Sequence, residues 1–337
     1  MANNAVTAKA RAIHGTMLTR EDYTALIHKA TIAAAVAYLK TKPLYASVFA
    51  DTDEAAVHRE QAETLINKNV FDTYQRVLRF SAGDKKGISG FYVRRLECEQ
   101  LTKAVIAITA EEQDGFVAAF PEYIADELSF DHLKLAAAKN LADASEVLRG
   151  TIYYRSLAPL MTAAEPDIDR ILTTISVCYI KWAFGQIDKS EKGSTRSQLK
   201  DFILRKVDAD NLLTCYRTKS FGMTNERVKE LLIPYHKRLR PVEIDEALRQ
   251  PDAVNTLREM FVSQRVALSA ESDIPEINVN VSDYKYFRHR LAVSTNETEA
   301  LYSLMMLLSA ESTDLCRIIE GIRYGLAPDA IEKYLII

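Results

Sequence analysis

The chain repeats itself. FYVRRLECEQL at 91–101 aligns without a gap on FILRKVDADNL at 202–212, 111 residues later, and a weaker third copy, MMLLSAESTDL, stands at 305–315. The three share one signature: an acidic residue, any residue, a polar residue, an amide or Asp, then Leu. It runs from Glu97 to Leu101, from Asp208 to Leu212 and from Glu311 to Leu315. A period of about 100 residues constrains the fold more than any local pattern, because each copy must build the same supersecondary unit and bury its apolar face against a neighbour.

The second and third copies continue in register through YRTKSFGMTNERVKELLI and IEGIRYGLAPDAIEKYLI. Gly222 then matches Gly325, and Val228, Leu231 and Leu232 match Ile331, Tyr334 and Leu335. The pattern predicts a helix, a glycine stop and a second helix, opened in the last copy by Pro328, with Ile331, Tyr334 and Leu335 buried. LTREDYTALIHKATIAAAVAYLKT at 18–41 also aligns, with a one-residue slip, on LSFDHLKLAAAKNLADASEVLRGT at 128–151, setting Tyr23 on Leu133. The expectation is three similar helical modules, 1–122, 123–222 and 223–337. Their anchors are Glu97, Leu101, Asp208, Asn211, Leu212, Gly222, Leu315 and Gly325.

Composition supports an all-α fold. Only 11 glycines and 9 prolines punctuate 337 residues, about half the usual share of these helix breakers. Thr19 with Asp22 reads as a capping box, followed by the stripe Tyr23, Leu26, Ile27, Ala30 and Ala34 along one predicted helix. Leu315, Ile318, Ile319 and Ile322 form a second stripe. INVNVSDYKYF at 277–287 departs from this pattern: its apolar and polar residues alternate with a strand period, which predicts a local irregularity. SAGDKKGISG at 81–90 reads as a surface loop.

Several classes of function find no footing. A net charge of −3 gives no electrostatic footprint for nucleic acid. Cys98, Cys178, Cys215 and Cys316 contain no CxxC pair and read as reduced thiols, and the six histidines are scattered. The N-terminus lacks the apolar stretch of a secretory signal, and IAAAVAYL at 32–39 and LYSLMMLLSA at 301–310 fall short of the roughly 20 residues needed to span a bilayer. Neither GDKKGISG nor GQIDKS has the spacing of a phosphate loop, and no GxSxG is present. The acidic groups Asp51, Asp53, Glu54 and Asp167, Asp169 read as solvated helix starts. No catalytic residue, metal site or cofactor is expected.

Basic pairs recur at matching positions, Arg94 with Arg95 and Arg205 with Lys206, just before the acidic signature. The ordinary reading is ion pairing on a solvated face. The functional one makes Arg94, Arg95, Arg205, Lys206 and Glu311 contacts to an elongated partner.

The ordered set ARAIHGTMLTREDYTALI (10–27), VLRGTIYYRSL (147–157), VDADNLLTCYRTKSFGM (207–223) and STDLCRIIEGIRYGLAPDAIEKYLI (312–336) resembles the C subunit family of V/A-type rotary ATPases, whose eukaryotic counterpart is the d subunit of the vacuolar ATPase. The resemblance implies an all-α protein of three similar parts around a funnel that seats the rotating central shaft, with the opposite face on the membrane ring of proteolipid subunits. It implies a non-catalytic, cofactor-free subunit, peripheral on the cytoplasmic face of the membrane. Two other readings fit the repeats: a free-standing helical scaffold for an unrelated protein, and a helical enzyme using Asp167 and Asp169.

Overall fold

A computed structural model describes residues 5–81, 88–270 and 272–337; most of the expected 81–90 loop lies outside the described residues. The chain divides into two compact units, Met1–Gly83 with Ala267–Ile337, and Asp84–Val266. The described residues contain no strand, and none of their helices is long and apolar enough to cross a membrane. The fold is all-α.

The first unit opens with α1 (Ala5–His14), α2 (Arg20–Ile27), α3 (Ile32–Lys40) and α4 (Arg59–Leu78). The second holds α5 (Phe91–Ala110), α6 (Gln113–Ala118), α7 (His132–Ala136), α8 (Leu141–Val147), α9 (Tyr154–Met161), α10 (Ile168–Ser190), α11 (Gly193–Ser220), α12 (Asn225–Glu230), α13 (Pro241–Leu248) and α14 (Ala253–Ser263). The chain then returns to the first unit as α15 (Pro275–Val293), α16 (Glu297–Arg323) and α17 (Pro328–Glu332).

The core of the first unit forms around α16, which packs on α4, α15 and α1. Leu301, Leu304, Met305, Leu308, Leu315, Ile318 and Ile319 of α16 are buried. Their spacing runs around most of the helix, as expected of one enclosed by neighbours rather than lying on a surface. In the second unit α10 packs on α5 and α11 on α14, and Tyr216 meets Phe261 edge to face with centroids 6.2 Å apart.

Three local expectations are corrected. The 277–287 segment is helical, inside α15, which opens on Pro275. The helix buries Val279, Asp283, Phe287 and Leu291, four residues apart, while Val281 is only half-buried. A three-residue alternation was too short to outweigh packing on both neighbours. The stripe expected from Tyr23 to Ala34 breaks at 28–31, where Thr31 caps a new helix by accepting from the Ala34 N–H at 3.1 Å. The apolar face restarts there as Ala35, Val36 and Leu39. Tyr334, expected in the core, is 48% exposed, whereas Ile331 and Leu335 are buried.

Candidate functional site

The three acids of the repeated signature lie in the interior, and each grips a distant stretch of main chain. Glu97 in α5 is fully buried; its Oε2 accepts the Ser129 N–H at 2.6 Å while Oε1 pairs with Arg94. Asp208 in α11 accepts the N–H of Lys237 at 3.0 Å and of Arg238 at 2.8 Å. Glu311 in α16, also fully buried, accepts the Leu18 N–H at 2.8 Å and the Tyr45 hydroxyl at 2.7 Å. Each gripped segment leads directly into a helix, with N-caps at Asp131, Arg240 and Thr19. A carboxylate bonded to main-chain N–H groups in a dry interior makes charge-assisted bonds and satisfies donors that would otherwise be orphaned.

A second clamp sits one turn further along. Asn211 accepts the Ile233 N–H at 2.8 Å and donates back to Ile233 O at 2.9 Å and Tyr235 O at 3.4 Å. Asp314, at the matching position, accepts the N–H of Ile336 at 2.8 Å and of Ile337 at 3.0 Å. The reach is 22 residues in both copies. Gln100 holds this position in the first copy, buried, but its Oε1 has no partner.

The repeat extends to the helix ends. Glu97 to Glu111, Asp208 to Gly222 and Glu311 to Gly325 all span 14 residues, and all three end points are left-handed, with φ of 58°, 77° and 64°. The next N–H closes back on the helix each time: Glu112 on Ala107 O, Met223 on Thr218 O, Leu326 on Gly321 O, at 2.9 to 3.1 Å. This six-to-one bond is that of the Schellman stop. Glu111 was not singled out in the sequence, and counting 14 residues from Glu97 would have found it. The short helices that follow, α6, α12 and α17, bury Phe116, Val228 and Ile331.

The pairing of 18–41 with 128–151 needs a shifted register. Leu133 is 55% exposed whereas Leu135 is fully buried. Aligning the N-caps Thr19 and Asp131 sets Tyr23 on Leu135, so that both fall on the buried face.

Both acids of the third copy are displaced from their ordinary range. Burial pushes Glu311 up to about 7, against bonds from Tyr45 and Leu18 that favour its charged form. Burial likewise pushes Asp314 up to about 6, opposed by the Ile336 and Ile337 N–H groups and by Arg317. Asp22 is also partly desolvated, but bonds from Lys42, Thr19 and Tyr38 bring it down to about 2.

Of the expected partner contacts, Glu311 is excluded by its burial: both carboxylate oxygens are spent inside the first unit. The basic residues lie on two helices. Arg94 of α5, 23% exposed at the side chain, bonds Glu97 and Ser129 Oγ and lies 5.4 Å from the Trp182 ring centroid. Arg95 pairs with Glu99 at 3.5 Å. On α11, Lys206 is half exposed and reaches Asp210 at 2.8 Å, and Arg205 is partly exposed. Leu101, Leu212 and Leu315 are buried.

The acidic pair near 167 caps α10, as expected of a helix start. Asp167 accepts from the Arg170 N–H at 3.1 Å, and Arg227 grips both of its oxygens, at 2.8 and 3.0 Å, and reaches Asp169 at 2.8 Å. The Arg227 bonds come first among the causes that hold Asp167 down to about 2. Among the described residues no group of three His, Cys, Asp or Glu side chains converges as a metal site would require.

Fold and clamps define a helical-repeat protein held together by buried acids that bind main chain. Residues 6–334 match the model of the ATP synthase (C/AC39) subunit family, and the chain belongs to that family. It is similar to the C subunit of the A-type ATP synthase of Thermococcus kodakarensis, 22% identical over 97% of this chain and 88% of the relative. It is also similar to the subunit of the same name in Methanococcoides burtonii, 23% identical over 92% of this chain and 90% of the relative. With that of Desulfurococcus sp. strain SY the identity is 24%, and the match covers 67% of this chain and 60% of the relative.

Proposed function

We propose that the chain is a non-catalytic central-stalk subunit of an A/V-type ATP synthase or ATPase, linking the rotating shaft to the membrane proteolipid ring and transmitting torque between ATP turnover and proton or sodium transport. The observation that carries this reading is family membership along nearly the whole chain, joined to relatives that are named subunits of such a machine. The internal architecture suits the task. A part under torque must not yield at its joints, and the long helices α5, α11 and α16 are each tied to a later or earlier helix start by buried charge-assisted bonds.

The chain is proposed to comprise three similar modules divided near residues 122 and 222. Both divisions fall within the span of a clamp, Glu97 to Ser129 and Asp208 to Arg238, and the third clamp returns from Glu311 to Leu18. The surface cations Arg94, Arg95, Arg205 and Lys206 are the proposed contacts to the shaft. The subunit would sit peripherally on the cytoplasmic face of the membrane.

Gentle capture of the tagged chain from its source membranes tests the assignment. Shaft subunits and the proteolipid ring are expected in stoichiometric amounts, and depletion of the chain should uncouple ATP turnover from ion transport. Capture with neither component would remove the rotary assignment in favour of an unrelated scaffold.

A further inference from the structure

The three copies of the clamp differ in charge. The first holds Glu97 with Gln100, the second Asp208 with Asn211, the third Glu311 with Asp314. One copy alone puts a second carboxylate where its siblings carry an amide. Both carboxylates of that copy are fully buried, one helical turn apart on α16. The Tyr23 hydroxyl, on a side chain 2% exposed, has no hydrogen-bond partner and lies within electrostatic reach of both acids. We propose that Glu311 and Asp314 form a proton-binding site in the interior of the first unit, and that the bound proton stabilises that unit.

The surroundings supply little positive charge. From α2 come Asp22 and Tyr23, and Asp22 is itself bonded to Lys42 and to Tyr38 of α3. Tyr45 follows α3 in the chain, and α15 supplies Tyr284 with Arg288 beside it. On α16 itself stand Cys316 and Arg317, and Glu63 of α4 bears on Cys316. Lys9 and Arg11 of α1, and Asp329 and Glu332 of α17, are exposed, and the half-buried His14 of α1 is held down by burial and by Arg288. Among the described residues the cation in contact with the pair is Arg317, 3.4 Å from Asp314 and itself partly solvated. Two like charges in a dry site with a single solvated counter-ion favour protonation of at least one of them.

Both acids stand above their ordinary range, at about 7 and about 6. The sign follows from linkage. A carboxyl raised in the folded state binds its proton more tightly folded than unfolded, so its stabilising effect is complete below the unfolded value and is lost as pH rises through the folded one. The relevant window runs from about pH 4, the ordinary carboxylate range, to about pH 7.

Infrared difference spectroscopy of the full chain, carboxyl-labelled with carbon-13, tests this between pH 6 and pH 8. The unmodified protein should show a protonated-carboxyl carbonyl band at pH 6 that disappears at pH 8, and Asp314→Asn and Glu311→Gln should each diminish it. Asp314→Asn reproduces the amide that the second copy already uses at Asn211, so it is expected to fold. It should flatten the fall in unfolding temperature between pH 4 and pH 8. Absence of the band from the unmodified chain at pH 6 overturns the site whether or not either variant folds. So does a band unchanged in both variants, or a pH dependence of unfolding that Asp314→Asn leaves intact.

Discussion

Glu311 and the main-chain N–H of Leu18 stand 293 residues apart in the chain and 2.8 Å apart in the fold. The bond does for the third copy of the repeat what Glu97 does at Ser129 and Asp208 does at Lys237 and Arg238. In the first two copies the gripped segment lies downstream of its acid. In the third it is residue 18, so one end of the sequence serves as the continuation of the other. The bond lies within the compact unit that 1–83 and 267–337 form together, where α16 packs on α4 and α1.

The clamps predict a ranking of substitutions. Asp208→Ala removes the acceptor for two main-chain donors and should cost roughly 2–4 kcal/mol in urea unfolding of the full chain. Asp208→Asn keeps one acceptor and should cost less. Leu212→Ala and Leu315→Ala, at positions 0% and 1% exposed, should each cost about 2–5 kcal/mol. Values below about 0.5 kcal/mol at the two leucines, typical of surface sites, would contradict the repeat register.

The helix stops predict opposite signs at equivalent positions. Glu111 bears a side chain at φ 58°, where its two counterparts are glycine. Glu111→Gly should relieve that strain and raise stability by about 0.5–1 kcal/mol, less whatever the more flexible unfolded chain takes back. A Cβ added at Gly222 or Gly325 would meet no atom within 4 Å. Gly222→Ala and Gly325→Ala should therefore lower stability by about 1 kcal/mol through backbone conformation alone. Equal signs at all three positions in parallel melts would rule this out.

Much of this was legible in the amino-acid order, and the remainder was hidden for identifiable reasons. The acid-to-Leu signature, the Thr19 capping box and the Gly222 and Gly325 stops could be read because each depends on local spacing. What the acids do could not. A buried carboxylate that grips main chain and a solvated one on a helix surface look alike in sequence, so Glu311 passed for a contact residue. Arg227 carried no signal either, since its partners Asp167 and Asp169 lie 60 and 58 residues upstream. The 277–287 helix was obscured by three β-branched residues whose local preference is weaker than the packing of α15 on α16.

Asp167 separates capping from ion pairing. Asn also caps helices, so Asp167→Asn should cost only about 0.5 kcal/mol, the scale of a solvated ion pair, while Asp167→Ala loses the cap too and should cost about 1–2 kcal/mol. With its carboxyl held down to about 2, the stabilisation is present above the ordinary range near about 4 and is lost as pH falls through the folded value. Acid titrations of the unmodified chain and of Asp167→Asn should therefore converge toward about pH 2. A gap that stays constant down to that pH would show that the Arg227 pairing contributes nothing.

The proposed shaft contact gives the last prediction. Arg205 and Lys206 lie on α11 beside the clamp acid Asp208 but point at least partly to solvent, and Lys206 reaches Asp210. Reversing both charges, Arg205→Glu with Lys206→Glu, breaks the exposed Lys206–Asp210 pair, worth no more than about 1 kcal/mol, so the unfolding midpoint should move little. An interface that uses these cations would lose complementarity at two adjacent positions, and its association should slow and become less sensitive to salt. Binding of the double variant to isolated shaft subunits, followed across a salt series beside its melting curve, distinguishes the cases. Weakened binding with an unchanged melt places the pair in the contact. Unchanged binding at every salt concentration takes both residues out of it, while a large drop in melting temperature would mean that the pair supports α11 itself.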